Sequence, residues 1–183
     1  MRQFIQAIEI SLNTQNWYSA LALSLTLPDI CGKIDYPNLH SRSRYSKWFD
    51  MYVGEDYKMT LEGETITFLT GNDCYALRCS YLHEGSNNVS EQTAREIITE
   101  KFVLMFSQGI NFHKCSNRGK IVLFLPDFCK DIAEGVLKWI NVIENEIDEI
   151  RRIKNNSLMK IYLPDSHSGN MVFSQIGNLW EEK

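Results

Sequence analysis

The sequence predicts a mainly helical domain of α+β class, on three observations. Apolar residues recur at helical spacing through the first half, two apolar runs of strand length follow Lys101, and the longest amphipathic stretch comes after them. A chain of 183 residues suffices for one domain with a real core. The expected organisation is therefore a single domain over 1–183. Residues 1–100 form a helical core, and 101–183 supply a β-hairpin, a long helix and a C-terminal extension packed on that core.

Phe4, Ile5, Ile8 and Leu12 mark a first helix, and Trp17, Ala20, Leu21, Leu23, Leu25 and Leu27 a second, apolar on nearly all sides and so expected to be buried. Pro28-Asp29 should end it, because the residue before a proline is pushed out of the helical region. After a turn-rich stretch from Gly32 to Ser41, Tyr45, Trp48, Phe49 and Tyr52 suggest a short helix over about 42–53. A polar link from Gly54 to Glu64 comes next. Asn72 and Asp73 stand as N-caps for a helix over Cys74 to His83, closed by Gly85.

From Lys101 the pattern turns to β. Phe102 to Phe106 and Ile121 to Leu125 bound a polar loop in an antiparallel, long-looped hairpin. Pro126-Asp127 then opens a helix whose apolar stripe runs through Phe128, Ile132, Val136, Trp139, Ile143, Ile147 and Ile150. Leu158 to Leu163 suggests a third short strand, followed by a loop over Asp165 to Asn170.

Composition narrows the function classes. No segment approaches the roughly 20 uninterrupted apolar residues of a membrane helix, so no membrane partner is expected. The opening residues Met1 to Ile10 alternate too closely for a signal peptide, which points to the cytoplasm. Cys31, Cys74, Cys79, Cys115 and Cys129 are odd in number and lack any Cys-x-x-Cys pair, as structural thiols do. Nineteen basic against twenty-three acidic residues give a net charge of −4, the opposite of a non-specific nucleic-acid binder, so any RNA contact must be local. Arg42, Arg44 and Lys47 form one basic cluster. His113, Lys114, Arg118 and Lys120 form another, which also reads as solvated loop charge.

The sharpest chemical question is Arg78, a guanidinium set among apolar neighbours, which needs a partner. His83 lies five residues on, roughly 140° around a regular helix and about 7.5 Å along it. An imidazole that changes charge near neutral pH suits acid/base work, and a neighbouring arginine suits the developing charge of a phosphorane. RNA cleavage by its own 2′-hydroxyl needs little more. The structural alternatives are an ion pair of Arg78 with Asp29 or Asp73, and a helix-ending His83 bonded to a carbonyl. His40, His113 and His167 lack enough neighbouring ligands for a metal, no phosphate-binding or nucleotide-binding glycine motif is present, and no cofactor is expected.

The string Cys74-Tyr75-Ala76-Leu77-Arg78-Cys79-Ser80-Tyr81-Leu82-His83-Glu84-Gly85 resembles the signature helix of HEPN domains, which carry arginine and histidine four to six residues apart. The blocks Leu27-Pro28-Asp29-Ile30-Cys31-Gly32 and Arg44-Tyr45-Ser46-Lys47-Trp48-Phe49 are similar to the same small bacterial subgroup of mobile elements. The resemblance covers roughly the first half. It implies a helical bundle, a homodimer that pairs two signature helices, and a metal-independent endoribonuclease of toxin or defence type, with RNA as substrate and a cognate antitoxin as a further partner. Arg78 and His83 are then the catalytic pair. Cys79 departs from the polar residue that many active members place after the arginine, which leaves a non-catalytic nucleotide- or RNA-binding module, or a structural interaction protein, as alternatives.

Three further residues are candidates for substrate binding. Asp29 is also a cap, Arg44 also a partner for Asp50 or Glu55, and Tyr75 either stacks a base or packs in the core.

Overall fold

Helical periodicity in the first half yields four helices, α1 (Arg2–Asn13), α2 (Trp17–Asp35), α3 (Ser41–Tyr52) and α4 (Gly71–Cys79), and the stripe after Pro126 yields α5 (Leu125–Asn145). In this computed structural model, residues 1–98, 100–106, 113–145 and 158 are described. Among the described residues, five short strands make the fold mixed α+β: β1 (Lys58–Leu61), β2 (Glu64–Thr67), β3 (Lys101–Met105), β4 (Cys115–Asn117) and β5 (Lys120–Phe124). The core lies where α5 packs across α1, α2 and α3, with Trp48, Trp139, Tyr45, Phe49 and Phe128 fully buried. The expected positions Ile147, Ile150, the strand over Leu158 to Leu163, and the loop from Asp165 with His167 fall, apart from Leu158, outside the described residues.

Pro28 does not end the second helix, which runs through it to Asp35. The missing N–H of Pro28 costs one hydrogen bond to the turn before. Leu25, Leu27, Cys31 and Ile34, buried on either side of the proline, hold the helix through that gap. Asp29 is consequently a mid-helix residue rather than a cap, and Gly32 belongs to α2 rather than to a turn. A Cβ on Gly32 would sit 2.6 Å from the Arg44 carbonyl oxygen, so glycine permits the close crossing of α2 and α3. That crossing sets Arg44 opposite Asp29, one turn earlier on α2.

The expected polar link from Gly54 contains a 3₁₀ turn (Gly54–Tyr57) and the β1–β2 hairpin, reversed by Glu62 and Gly63 with φ of 52° and 86°. The expected antiparallel hairpin of the second half is corrected as well. β3 and β5 pair in parallel, with β5 central and β4 antiparallel on its other side. The physical reason is β4, inside the supposed loop. Arg118 and Gly119, with φ of 48° and 73°, reverse the chain between β4 and β5, so β5 meets β3 running the same way.

Candidate functional site

Thr70, rather than Asn72 or Asp73, caps α4: its hydroxyl accepts from the Asp73 N–H, and Asp73 reaches back to Thr70 in a capping box. The fully buried Asp73 carboxylate also accepts backbone N–H bonds from Glu96, Ile97 and Ile98. It is therefore committed to structure, and the partner of Arg78 is the other carboxylate the sequence offered, Asp29.

Asp29 gathers a cluster from three helices. Arg44 donates Nε–H to its Oδ1 at 2.7 Å, Arg78 Nη2 lies 3.5 Å from its Oδ2, and the Ser41 hydroxyl donates to the same carboxylate at 3.2 Å. Arg44 therefore pairs with Asp29, not with Asp50 or Glu55. Asp50 instead accepts the Gly71 N–H at the start of α4. Burial pushes the Asp50 carboxyl up, while that hydrogen bond opposes the shift. The side chains of Asp29, Arg44 and Arg78 are 17%, 19% and 19% exposed, enough to be reached from solvent. Two guanidiniums against one carboxylate leave a net charge of +1 among the three. The fit is also incomplete, because Arg78 Nε is buried and has no hydrogen-bond partner among the described residues.

Tyr75 borders the same cluster. Its ring meets Tyr45 edge-on at 5.4 Å, packs against the core, and lies 5.7 Å from the Arg78 guanidinium carbon. Burial first, and then the neighbouring Cys79 thiol, push its phenol up. Cys79 Sγ is 4.0 Å from Arg78 Nη1.

His83 stands apart. After Cys79 the helix widens into a single π-helical turn, Ser80–Glu84, closed by Gly85 in the left-handed region at φ 64°, the expected stop. Buried Ser80 anchors the turn by donating to the Asn88 carbonyl at 2.5 Å. A π turn sweeps less angle per residue, so His83 lies nearer the Arg78 side than the 140° of a regular helix. Its side chain is exposed and has no partner among the described residues, rather than bonding a helix-end carbonyl. Asp29, Arg44, Tyr75 and Arg78 thus come together, and no hydrogen bond or ion pair among the described residues joins His83 to them.

A second polar cluster escaped sequence reasoning. His113 Nδ1 accepts the Phe124 N–H at 3.2 Å, which leaves Nε2–H to donate to Asp131, also at 3.2 Å. Lys114 pairs with the same carboxylate at 3.1 Å, 4.5 Å above the Tyr57 ring. Burial pushes the Asp131 carboxyl up, but the His113 hydrogen bond, the Tyr57 phenol and Lys114 outweigh it and hold it below the usual carboxylate range. Burial and the Asp131 charge push the Tyr57 phenol well up. Both ring nitrogens of His113 are occupied, so it ties the chain just before β4 and the end of β5 to α5. His113 and Lys114 are accordingly not the solvated loop charge that their sequence context suggested.

Among the described residues, no three His, Cys, Asp or Glu side chains form a metal-binding group, and no helix is long and apolar enough to cross a membrane. No known family model, curated protein or solved structure matches this chain.

Proposed function

We propose that this chain is a HEPN-like, metal-independent endoribonuclease that acts as a homodimer in the cytoplasm, with Arg78 neutralising the scissile phosphate and His83 moving the proton. One observation carries the reading: Arg78, whose partly exposed guanidinium shares a single carboxylate with Arg44, lies one helical turn before an exposed imidazole that has no partner among the described residues. The attacking 2′-oxygen forms a bond to phosphorus while the bond to the 5′-oxygen breaks. One His83 accepts the hydroxyl proton, and the partner copy's equivalent returns a proton to the leaving oxygen. Arg44 adds a second cation, and Asp29 holds both arginines in place until phosphate competes for them. A toxin or defence role, restrained by a cognate antitoxin, suits such an activity.

RNA cleavage that persists in EDTA is the expected result. His83→Ala should lower the rate by about 10²-fold or more, and Arg78→Lys, which keeps the positive charge but loses the planar fork, should lower it as well. Full activity in both variants would remove these residues from the chemistry. A second reading, a non-catalytic nucleotide- or RNA-binding module, is favoured by Asp29, which already neutralises one of the two arginines, and by Cys79 after Arg78. It predicts saturable binding of short RNAs without cleavage products.

A further inference from the structure

The π turn that carries His83 also walls a cavity that the ribonuclease reading does not use. Its volume is about 470 Å³, within the range of small-molecule sites. Trp17, Tyr18, Tyr81 and Phe106 line it, together with the apolar Leu21, Leu104 and Leu125. Trp17 and Phe106 are stacked, with centroids 5.2 Å apart and planes 21° from parallel. Sequence alone placed Trp17 at the head of a fully buried helix, yet Tyr18 is 78% exposed and Phe106 is 59% exposed.

Polar groups at the rim are few and specific. Asn87 is locked to β3 in both directions: its carbonyl accepts the Phe102 N–H at 2.9 Å, and its Nδ2 donates to the Phe102 carbonyl at 2.8 Å. Its side-chain oxygen has no partner among the described residues and is left as an acceptor. Ser86 Oγ receives the Asn88 N–H at 3.0 Å and donates to no described residue. The Tyr81 hydroxyl donates to the Tyr18 carbonyl at 3.2 Å, which fixes the ring that links this wall to the π turn.

We propose that this cavity binds a nucleobase, stacked on the Trp17–Phe106 and Tyr18 rings with its polar edge toward Asn87 and Ser86. Aromatic walls with an acceptor and a donor beside them suit a flat heteroaromatic ring, which can use both, better than an aliphatic side chain, which can use neither. The choice of a nucleobase among such rings rests on the ribonuclease reading, since Tyr81 and Gly85 share the turn of His83.

Nucleosides without phosphate separate the two ideas. The full chain is titrated with adenosine, guanosine, cytidine and uridine, and with ribose 5-phosphate as a control lacking the ring, by isothermal titration and tryptophan emission. Saturable binding of at least one nucleoside and none of ribose 5-phosphate is expected. Tyr18→Ala and Phe106→Ala, both at exposed positions, should each weaken binding about tenfold. Absence of saturable nucleoside binding, or unchanged affinity in both variants, overturns the proposal. Nucleoside binding in a protein that cleaves no RNA supports the cavity and sinks the ribonuclease. Cleavage by a protein that binds no nucleoside sinks the cavity alone.

Discussion

Two carboxylates touch α4, and they are used in opposite ways. Asp73, at its start, is fully buried and accepts from the backbone N–H groups of Thr70, Glu96, Ile97 and Ile98. Asp29, facing its far end, is partly exposed and holds two guanidiniums and a hydroxyl that belong to side chains. Backbone donors are fixed by the fold and cannot turn elsewhere, whereas long side chains can exchange one oxyanion for another. A phosphate could therefore replace Asp29 on Arg44 and Arg78, but nothing could replace Asp73 without unmaking the loop over 96–98.

The largest effect expected from this contrast is on stability. Asp73→Ala would strip the acceptor from several backbone donors, of which the Ile98 N–H is buried, and break the α4 capping box. A loss of at least about 3 kcal/mol is expected, a large part of the total stability of an ordinary domain. Urea midpoints measure it, with Asp73→Asn, which keeps one carbonyl acceptor, falling between. A loss below about 1 kcal/mol for the alanine variant would mean that Asp73 is no more structural than Asp29.

Asp29→Asn should have the smaller stability effect, about 1–2 kcal/mol, because its partners are partly solvated and can rehydrate. It should at the same time raise affinity for short RNA severalfold at low salt, since Arg44 and Arg78 lose their internal competitor. Fluorescence anisotropy with a labelled oligonucleotide checks this. Unchanged or weaker RNA binding would make Asp29 a purely structural partner like Asp73.

Much of this was legible in the sequence, and the failures share a cause. Helical spacing locates α1, α3 and α5, and Gly85 marks the end of the helix that follows Thr70, because each of these follows from neighbours within a few turns; Asp29, 49 residues from Arg78, is foreseen as one of two partners only because a guanidinium among apolar residues demands a carboxylate. Pro28 misled because a local preference was overridden by the buried Leu25, Leu27, Cys31 and Ile34 around it. The parallel pairing of β3 with β5 and the π turn depend on contacts that no local pattern encodes. His113 looked isolated because its partners, Phe124 and Asp131, lie 11 and 18 residues away. Tyr18 and Phe106 were hidden by the assumption that apolar residues in a helix or strand are interior.

Asp131 offers the smallest and most selective test of the contrast, because its exposure of 18% nearly equals the 17% of Asp29. If exposure decided the role, the two would behave alike. Asp131, however, is held by a histidine whose other nitrogen is already bonded, so it should behave structurally. Its carboxyl titrates below the ordinary value in the folded chain, so its stabilisation is fully present above that ordinary value, about pH 4, and is lost as pH falls through the lower folded value. The stability gap between the wild type and Asp131→Asn, about 1 kcal/mol at pH 5, should therefore shrink as the pH is lowered to 3. RNA affinity should not change in this variant. A gap that stays constant from pH 5 to pH 3 would show that the carboxylate charge contributes nothing there. A gain in RNA binding would place Asp131 with Asp29, as a carboxylate that merely waits for a better anion.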